Sequence, residues 1–251
     1  MKELGIGPLK GVRKFHSKQS VHEHMPEVPF RLIALGNSGS GKTLTLQNML
    51  LNHYKGIYSA IFLWSPTARL DMGWEPVFKY MARELGQNPE ATDEKEMCVF
   101  DTFRNEDLIR VIDTFSAKIK KLKERRSAHS LELPNICLIA DDVADDPAAV
   151  RNINFVQAFV KLRHMSISTA LLSQKWKLLS PTIRINLTAI LCWRLRDLRE
   201  AEEVMHSLSS TYGFKQALGV YKKCTEEPYS FMYYDALNNV FYCRFEYRVQ
   251  I

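Results

Sequence analysis

Phe30-Arg31-Leu32-Ile33-Ala34-Leu35-Gly36-Asn37-Ser38-Gly39-Ser40-Gly41-Lys42-Thr43 is the stretch from which the rest of the chain can be read. An almost wholly apolar run of strand character ends at Gly36. A glycine-rich turn follows, and helical spacing begins at Lys42, with Leu44, Leu46, Met49 and Leu50 as its apolar positions. Gly36, Gly41, Lys42 and Thr43 satisfy the pattern G-x-x-x-x-G-K-[ST]. The backbone N–H groups of Gly36, Asn37, Ser38, Gly39, Ser40 and Gly41 would cradle phosphate oxygens. Gly36, Gly39 and Gly41 permit the positive φ values and close approach that a cradle needs. Lys42 would neutralise the outer phosphates of ATP, and the Thr43 hydroxyl would ligate Mg²⁺. The competing account is a flexible Gly/Ser turn beside a surface lysine. It leaves the strand–loop–helix context unexplained.

The second chemical landmark is Asn135-Ile136-Cys137-Leu138-Ile139-Ala140-Asp141-Asp142. Its apolar residues suit a central strand, and two carboxylates stand at its C-terminal end. Ligands of open α/β sheets bind at the carboxyl ends of the strands, where the phosphate loop also lies. Asp141 would therefore serve Mg²⁺, directly or through water, and Asp142 could polarise an attacking water. The alternative is an ordinary strand end with a turn, in keeping with Asp145, Asp146 and Pro147. Residues 167 to 172 form another apolar run, ending at Ser173-Gln174. The Gln174 amide could orient water or sense a terminal phosphate, or it could simply cap the strand end.

Length and composition fit this picture. The 251 residues suffice for one large α/β domain or two small ones. Apolar residues make up 46%, enough for a sizeable core, and the net charge of +6 suits an acidic partner such as nucleic acid as well as a solvated basic surface. The five cysteines, at 98, 137, 192, 224 and 243, include no C-x-x-C pair, which argues against a zinc site. Cys137 and Cys192 lie inside apolar strand-like runs and read as core thiols, and a reducing compartment is expected. There is no run of eighteen apolar residues and no apolar signal core at the N-terminus, so an intracellular protein without a membrane span is expected.

Along the chain, residues 1–28 carry Gly5, Gly7, Pro8, Gly11 and Pro26 with scattered charges and read as an irregular arm ahead of a domain at 29–251. His16, His22 and His24 lie there without acidic or thiol partners and read as a solvated tail rather than a metal site. Residues 60–64 suggest a second buried strand, 75–85 a helix, and 98–100 a short extra strand. Residues 105–126 give the clearest helix, with Leu108, Ile112, Phe115, Ile119 and Leu122 on one face. Its far end carries Lys118, Lys120, Lys121, Lys123, Arg125 and Arg126. These suit DNA phosphates, and they equally suit the negative end of the helix dipole. A helix is expected over 147–163, a strand over 189–194, and helices over 197–208 and 213–224. An aromatic β-hairpin is expected around Asn238-Asn239.

Taken together, the phosphate loop at 36–43, the strand ending in Asp141-Asp142, Arg163-His164 before the strand ending in Ser173-Gln174, Ile183-Arg184-Ile185-Asn186 before the next strand, and the terminal aromatic hairpin resemble a family. It is that of the viral genome-packaging ATPases of the FtsK–HerA superfamily, of the poxvirus-like kind, and the resemblance covers roughly residues 28–248. It implies a P-loop α/β fold, with a mostly parallel sheet flanked by helices and an extra strand between the phosphate-loop strand and the acidic strand. It also implies a homo-oligomeric ring of five or six subunits that hydrolyses ATP between neighbours and drives double-stranded DNA into a capsid, in contact with capsid or portal-vertex proteins. Carried over by position, Lys42 and Thr43 bind phosphates and Mg²⁺, Asp141 serves Mg²⁺, Gln174 is the sensor, and Arg184 is the candidate trans-acting arginine finger, with Arg194 its competitor. Asp142 is a departure, since many relatives in the superfamily carry Glu there. Two rivals stay open. One is a nucleotide kinase whose lid would use Arg194, Arg196 and Arg199. The other is a nucleotide-binding assembly factor with little turnover.

Overall fold

Long apolar runs bounded by turn residues can be satisfied in a sheet covered on both faces, and that is how they are used here. The computed structural model describes residues 14–124, 130–143, 147–208 and 212–249. The strands are β1 (Lys14–Ser17), β2 (Arg31–Leu35), β3 (Tyr58–Trp64), β4 (Val99–Phe100), β5 (Ser130–Leu133), β6 (Asn135–Asp141), β7 (Ile167–Ser173), β8 (Ala189–Trp193), β9 (Phe231–Asp235), β10 (Val240–Cys243) and β11 (Tyr247–Arg248). The helices are α1 (Lys42–Asn48), α2 (Glu75–Glu84), α3 (Asn105–Glu124), α4 (Pro147–Arg151), α5 (Ile153–Lys161), α6 (Pro181–Asn186), α7 (Leu198–Leu208) and α8 (Phe214–Cys224).

The large sheet has the order β11-β10-β9-β8-β2-β7-β6-β3-β4. From β8 to β4 every pairing is parallel, while β8–β9, β9–β10 and β10–β11 are antiparallel. Every residue of β2, β6, β7 and β8 is buried, as a central strand covered on both faces requires. The strand β7 lies between β2 and β6, so the sheet carries the extra strand that the resemblance implied. Parallel register aligns the chemistry: Leu35 pairs with Ser173, and Leu172 with Asp141, so the phosphate loop, Gln174 and the acidic pair emerge at one edge.

Several expectations change in detail. The helix read over 147–163 is two helices, because Asn152 leaves helical geometry (φ −62°, ψ 128°) and its side chain caps α5 by accepting from the N–H groups of Asn154 and Phe155. The helix read over 105–126 is observed to Glu124; Arg125 and Arg126 lie outside the described residues, as do Asp145 and Asp146. The helix after the phosphate loop passes from α-helical to π-helical hydrogen bonding at Met49–His53. The aromatic hairpin forms as expected, with Tyr233 opposite Tyr242 and Tyr234 opposite Phe241.

Two readings are corrected. The arm expected to be irregular contains β1, which pairs in parallel with β5 in a separate two-stranded sheet. Its following residues pack back on the body of the fold: Met25 and Val28 are buried, and the Tyr54 hydroxyl donates to the Pro26 carbonyl at 2.6 Å. Residues 1–13 lie outside the described residues. A reducing compartment gave no reason to expect a disulfide, yet Cys224 at the end of α8 and Cys243 at the end of β10 are joined in one, with their Cα atoms 5.0 Å apart. Cys98, Cys137 and Cys192 are buried free thiols. Among the described residues, no helix is long and apolar enough to cross a membrane.

Candidate functional site

The loop after β2 has little room for side chains. A Cβ at Gly36 would come within 2.7 Å of Ser40 Oγ and 2.9 Å of Trp193 Cβ, so the turn closes only around glycine. Gly41 takes φ 98° at the start of α1, where an L side chain would be strained. The loop is anchored on both flanks. Gly36 N–H donates to the Ser173 carbonyl at 3.1 Å, and Asn37 Nδ2 donates to the Arg194 carbonyl at 2.9 Å. Lys42 is only 6% exposed, and its ammonium donates to the carbonyls of Gly36 (2.8 Å) and Asn37 (2.9 Å). A lysine held inside its own loop places a positive charge where phosphates would lie.

Across the sheet edge, the Thr43 hydroxyl donates to Asp141 Oδ2 at 3.4 Å. Burial, and then the neighbouring Asp142 carboxylate, push the Asp141 carboxyl up to about 7; Lys42 and Thr43 oppose the shift, and Asp71 adds to it. Among the described residues no three acidic, histidine or cysteine side chains close on one point, but the Asp141 carboxyl and the Thr43 hydroxyl turned toward it are hard oxygen donors of the kind a divalent cation prefers. Asp142, the first residue beyond β6, has φ 55°. This left-handed turn is one that aspartate tolerates.

The surrounding cleft is about 400 Å³ and is lined by the phosphate loop, Asp71, Asp142, Gln174 and Tyr229, among others. Ser173 Oγ accepts from the Lys175 N–H and donates to the Lys175 carbonyl, and this turns the chain so that Gln174 faces the cleft. Ser40 Oγ and Gln47 Nε2 are buried without a hydrogen-bond partner among the described residues. Unsatisfied buried polar atoms are costly. Their presence in and beside the loop fits a site built around a polar, anionic ligand and its cation.

Of the residues expected from the sequence, Gly36, Asn37, Ser38, Gly39, Ser40, Gly41, Lys42, Thr43, Asp141, Asp142 and Gln174 are brought together at this edge. Arg184 is not. It lies on α6, which leads into the amino end of β8, whereas the phosphate loop follows the carboxyl end of β2. Its Nε donates to the Leu179 carbonyl at 3.0 Å, and its guanidinium sits 5.3 Å from the centre of the Trp176 ring. Arg194 follows β8 and lines a separate cleft of about 560 Å³ with Arg196, Lys222 and Lys223.

Sequence reasoning missed five lining residues: Leu44, Gln47, Asp71, Gly73 and Tyr229. Gln47 stands one turn after Thr43 and so shares its helix face, a signal that was available. Asp71 and Gly73 reach the cleft from the segment between β3 and α2. Nothing local in the sequence marks Tyr229.

The comparisons with known proteins agree with this geometry. The DNA packaging protein OPG160 of Variola virus is 27% identical over 198 residues, covering 77% of this chain and 63% of that protein. The OPG160 protein of Vaccinia virus (strain Copenhagen) is 26% identical over the same coverage. The chain thus spans a little under two thirds of the length of these relatives. The genome packaging NTPase B204 from Sulfolobus turreted icosahedral virus 2, solved in complex with ATP-gammaS, superposes with a TM-score of 0.55 at 16% identity. That match covers 85% of this chain and 95% of B204. The pCW3 conjugation coupling protein TcpA superposes with a TM-score of 0.51 at 17% identity over 82% of this chain and 57% of its own. These structural likenesses establish the fold, which this chain shares with B204 and TcpA. The model of the Poxvirus A32 protein family matches residues 98–241, more than half of the chain, and the chain belongs to that family.

Proposed function

We propose that this protein is an ATP-driven translocase that moves double-stranded DNA into a viral capsid. The observation that carries the reading is the pairing of Thr43 with the buried Asp141 across the sheet edge, beside a lysine already seated in the loop. That arrangement suits hydrolysis of a nucleoside triphosphate. The packaging role follows from membership of the A32 family and from the name of the OPG160 relatives.

In this mechanism the loop N–H groups and Lys42 hold the β- and γ-phosphates. Thr43 and Asp141 would hold Mg²⁺, which would supply charge neutralisation at the phosphates. Water attacks the γ-phosphorus, the bond to the β-phosphate oxygen breaks, and Asp142 accepts the proton of the water, giving ADP and phosphate. Gln174 orients the water. Arg184 lies away from its own phosphate loop, and the proposal gives it to the neighbouring subunit's nucleotide, in a ring of five or six copies, with Arg194 as the competing finger. Stacked on Trp176 and tethered to Leu179, the guanidinium is held in one place, which favours a positioned finger over a mobile surface charge. The DNA contact is to the backbone and hence salt-dependent, and capsid or portal-vertex proteins are the docking partners at an intracellular site of virion assembly.

The test is ATP hydrolysis measured with and without duplex DNA across protein concentrations. Stimulation by DNA that grows as the protein assembles, and that disappears in Lys42→Ala, supports the translocase. Hydrolysis indifferent to both DNA and concentration sinks it.

A further inference from the structure

The phosphate loop explains how the phosphates are held and leaves the rest of the nucleotide without a seat. The two sides of the loop differ. The strand β2 has β7 and β6 on one side and β8 on the other. Asp141, Asp142 and Gln174 stand at the ends of β6 and β7, so the terminal phosphate and its cation belong on that side. The ribose and base then extend toward β8.

On the β8 side stands Tyr229. With Leu44 it supplies the large apolar side chains of a cleft otherwise lined by polar groups and glycines. Both are left open to solvent, at 74% and 71% exposed. Tyr229 is nevertheless firmly placed. Its carbonyl accepts from Trp193 Nε1 at 3.2 Å, and Trp193 is buried at the end of β8, with its ring 4.6 Å from that of Phe231. The preceding turn is pinned by the Glu227–Arg244 ion pair at 3.2 Å and by Ser230 N–H donating to the Glu227 carbonyl at 3.2 Å. The ring lies against the loop, with Cδ1 3.7 Å from where a Cβ on Gly41 would sit. Its backbone takes φ 61°, an uncommon conformation for a bulky side chain. Strain of this kind persists where the surrounding structure over-determines it, and it gathers at ligand sites.

We propose that Tyr229, together with Leu44, is the platform on which the base of the bound nucleotide stacks. The inference rests on the nucleotide reading given above and adds the part of the ligand that the phosphate loop does not address. Stacking on an aromatic face is tolerant of base identity. The site is therefore expected to hold ATP and GTP with similar affinity and to distinguish both from a bare phosphate chain.

The experiment compares binding of Mg²⁺ complexes of ATP, GTP and inorganic tripolyphosphate to the full chain, to Tyr229→Ala and to Tyr229→Phe. The fluorescent base analogue 1,N6-etheno-ATP reports stacking by quenching. Tyr229→Ala should weaken ATP and GTP roughly 5- to 100-fold, abolish the quenching and leave tripolyphosphate binding unchanged. Tyr229→Phe should restore both. An equal loss for ATP and tripolyphosphate in Tyr229→Ala overturns the platform, because the side chain would then be shaping the loop. Unchanged ATP affinity overturns it as well. If the unaltered protein binds none of the three, the phosphate cradle itself fails and the platform falls with it, a result distinct from losing the base contribution alone.

Discussion

The carboxyl edge of β6 and the antiparallel extension formed by β9, β10 and β11 belong to the same sheet but are built on opposite terms. In the extension the aromatic side chains of β9 and β10 answer one another. Tyr233 stacks on Tyr242 at 5.3 Å, Tyr234 meets Phe241 at 4.7 Å, and Cys224 is tied to Cys243. At the β6 edge, by contrast, Asp141 is buried against Asp142 and pushed toward neutrality, and Ser40 and Gln47 have buried atoms without partners. The extension stabilises the fold. The edge carries a buried carboxyl whose ionised form is disfavoured, a cost that the proposed cation would offset. That difference separates the residues that hold the molecule together from those that act, and substitutions on the two sides should separate in the same way.

The largest effect is expected away from both regions. Arg184→Ala should lower assembled, DNA-stimulated hydrolysis by about 10³- to 10⁵-fold, the range of an arginine finger, while leaving ATP binding by the separate chain intact. A matching loss in Arg194→Ala, with Arg184→Ala active, would transfer the role. Within the extension, Phe241→Ala should destabilise the fold by about 3–5 kcal/mol, read by denaturant unfolding, with ATP affinity unchanged under folding conditions.

Asp141→Asn should do the reverse. It should abolish hydrolysis yet stabilise the free protein by on the order of 2–4 kcal/mol at pH 8. The sign follows from the raised pKa. The unfolded carboxyl titrates near 3.8 and the folded one near 7, so the folded chain holds the proton more tightly between those values. The penalty from ionising Asp141 therefore grows as pH rises from about 4 to about 7 and is full above that. Unfolding curves for Asp141→Asn and the unaltered protein should converge near pH 4, and a gap independent of pH would contradict the assignment. The smallest effect is expected for Asn37→Ala, which removes the tether to the Arg194 carbonyl on a partly exposed loop and should cost about 0.5–1.5 kcal/mol.

Much of this arrangement was legible in the sequence for a physical reason. The phosphate loop and the acidic strand are contiguous motifs whose chemistry demands particular residue types at fixed spacing, so Gly36 to Thr43 and Asp141 could be read directly. The central strands were readable because strands buried on both faces are continuous apolar runs. What stayed hidden depends on contacts between distant segments. β1 was missed because its partner β5 lies more than a hundred residues away and each segment is only four residues long. The Cys224–Cys243 bond joins the ends of a helix and a strand with no spacing signature. The break at Asn152 competes with a helix pattern that is apolar on both sides of it. Asp71 and Tyr229 reach the cleft from loops, where no periodicity announces which way a side chain turns.

The most direct test of the contrast between the two regions is thermal unfolding of the unaltered protein and of Asp141→Asn at pH 8, each with and without ATP and Mg²⁺. The account predicts a higher midpoint for Asp141→Asn without ligand. It also predicts a ligand-induced rise for the unaltered protein, equivalent to about 2.7 kcal/mol at a hundredfold excess over Kd, that the variant largely lacks. A variant no more stable than the parent without ligand, or one that gains as much from ATP and Mg²⁺, would contradict the claim that the unmet charge at the β6 edge is what the ligand answers.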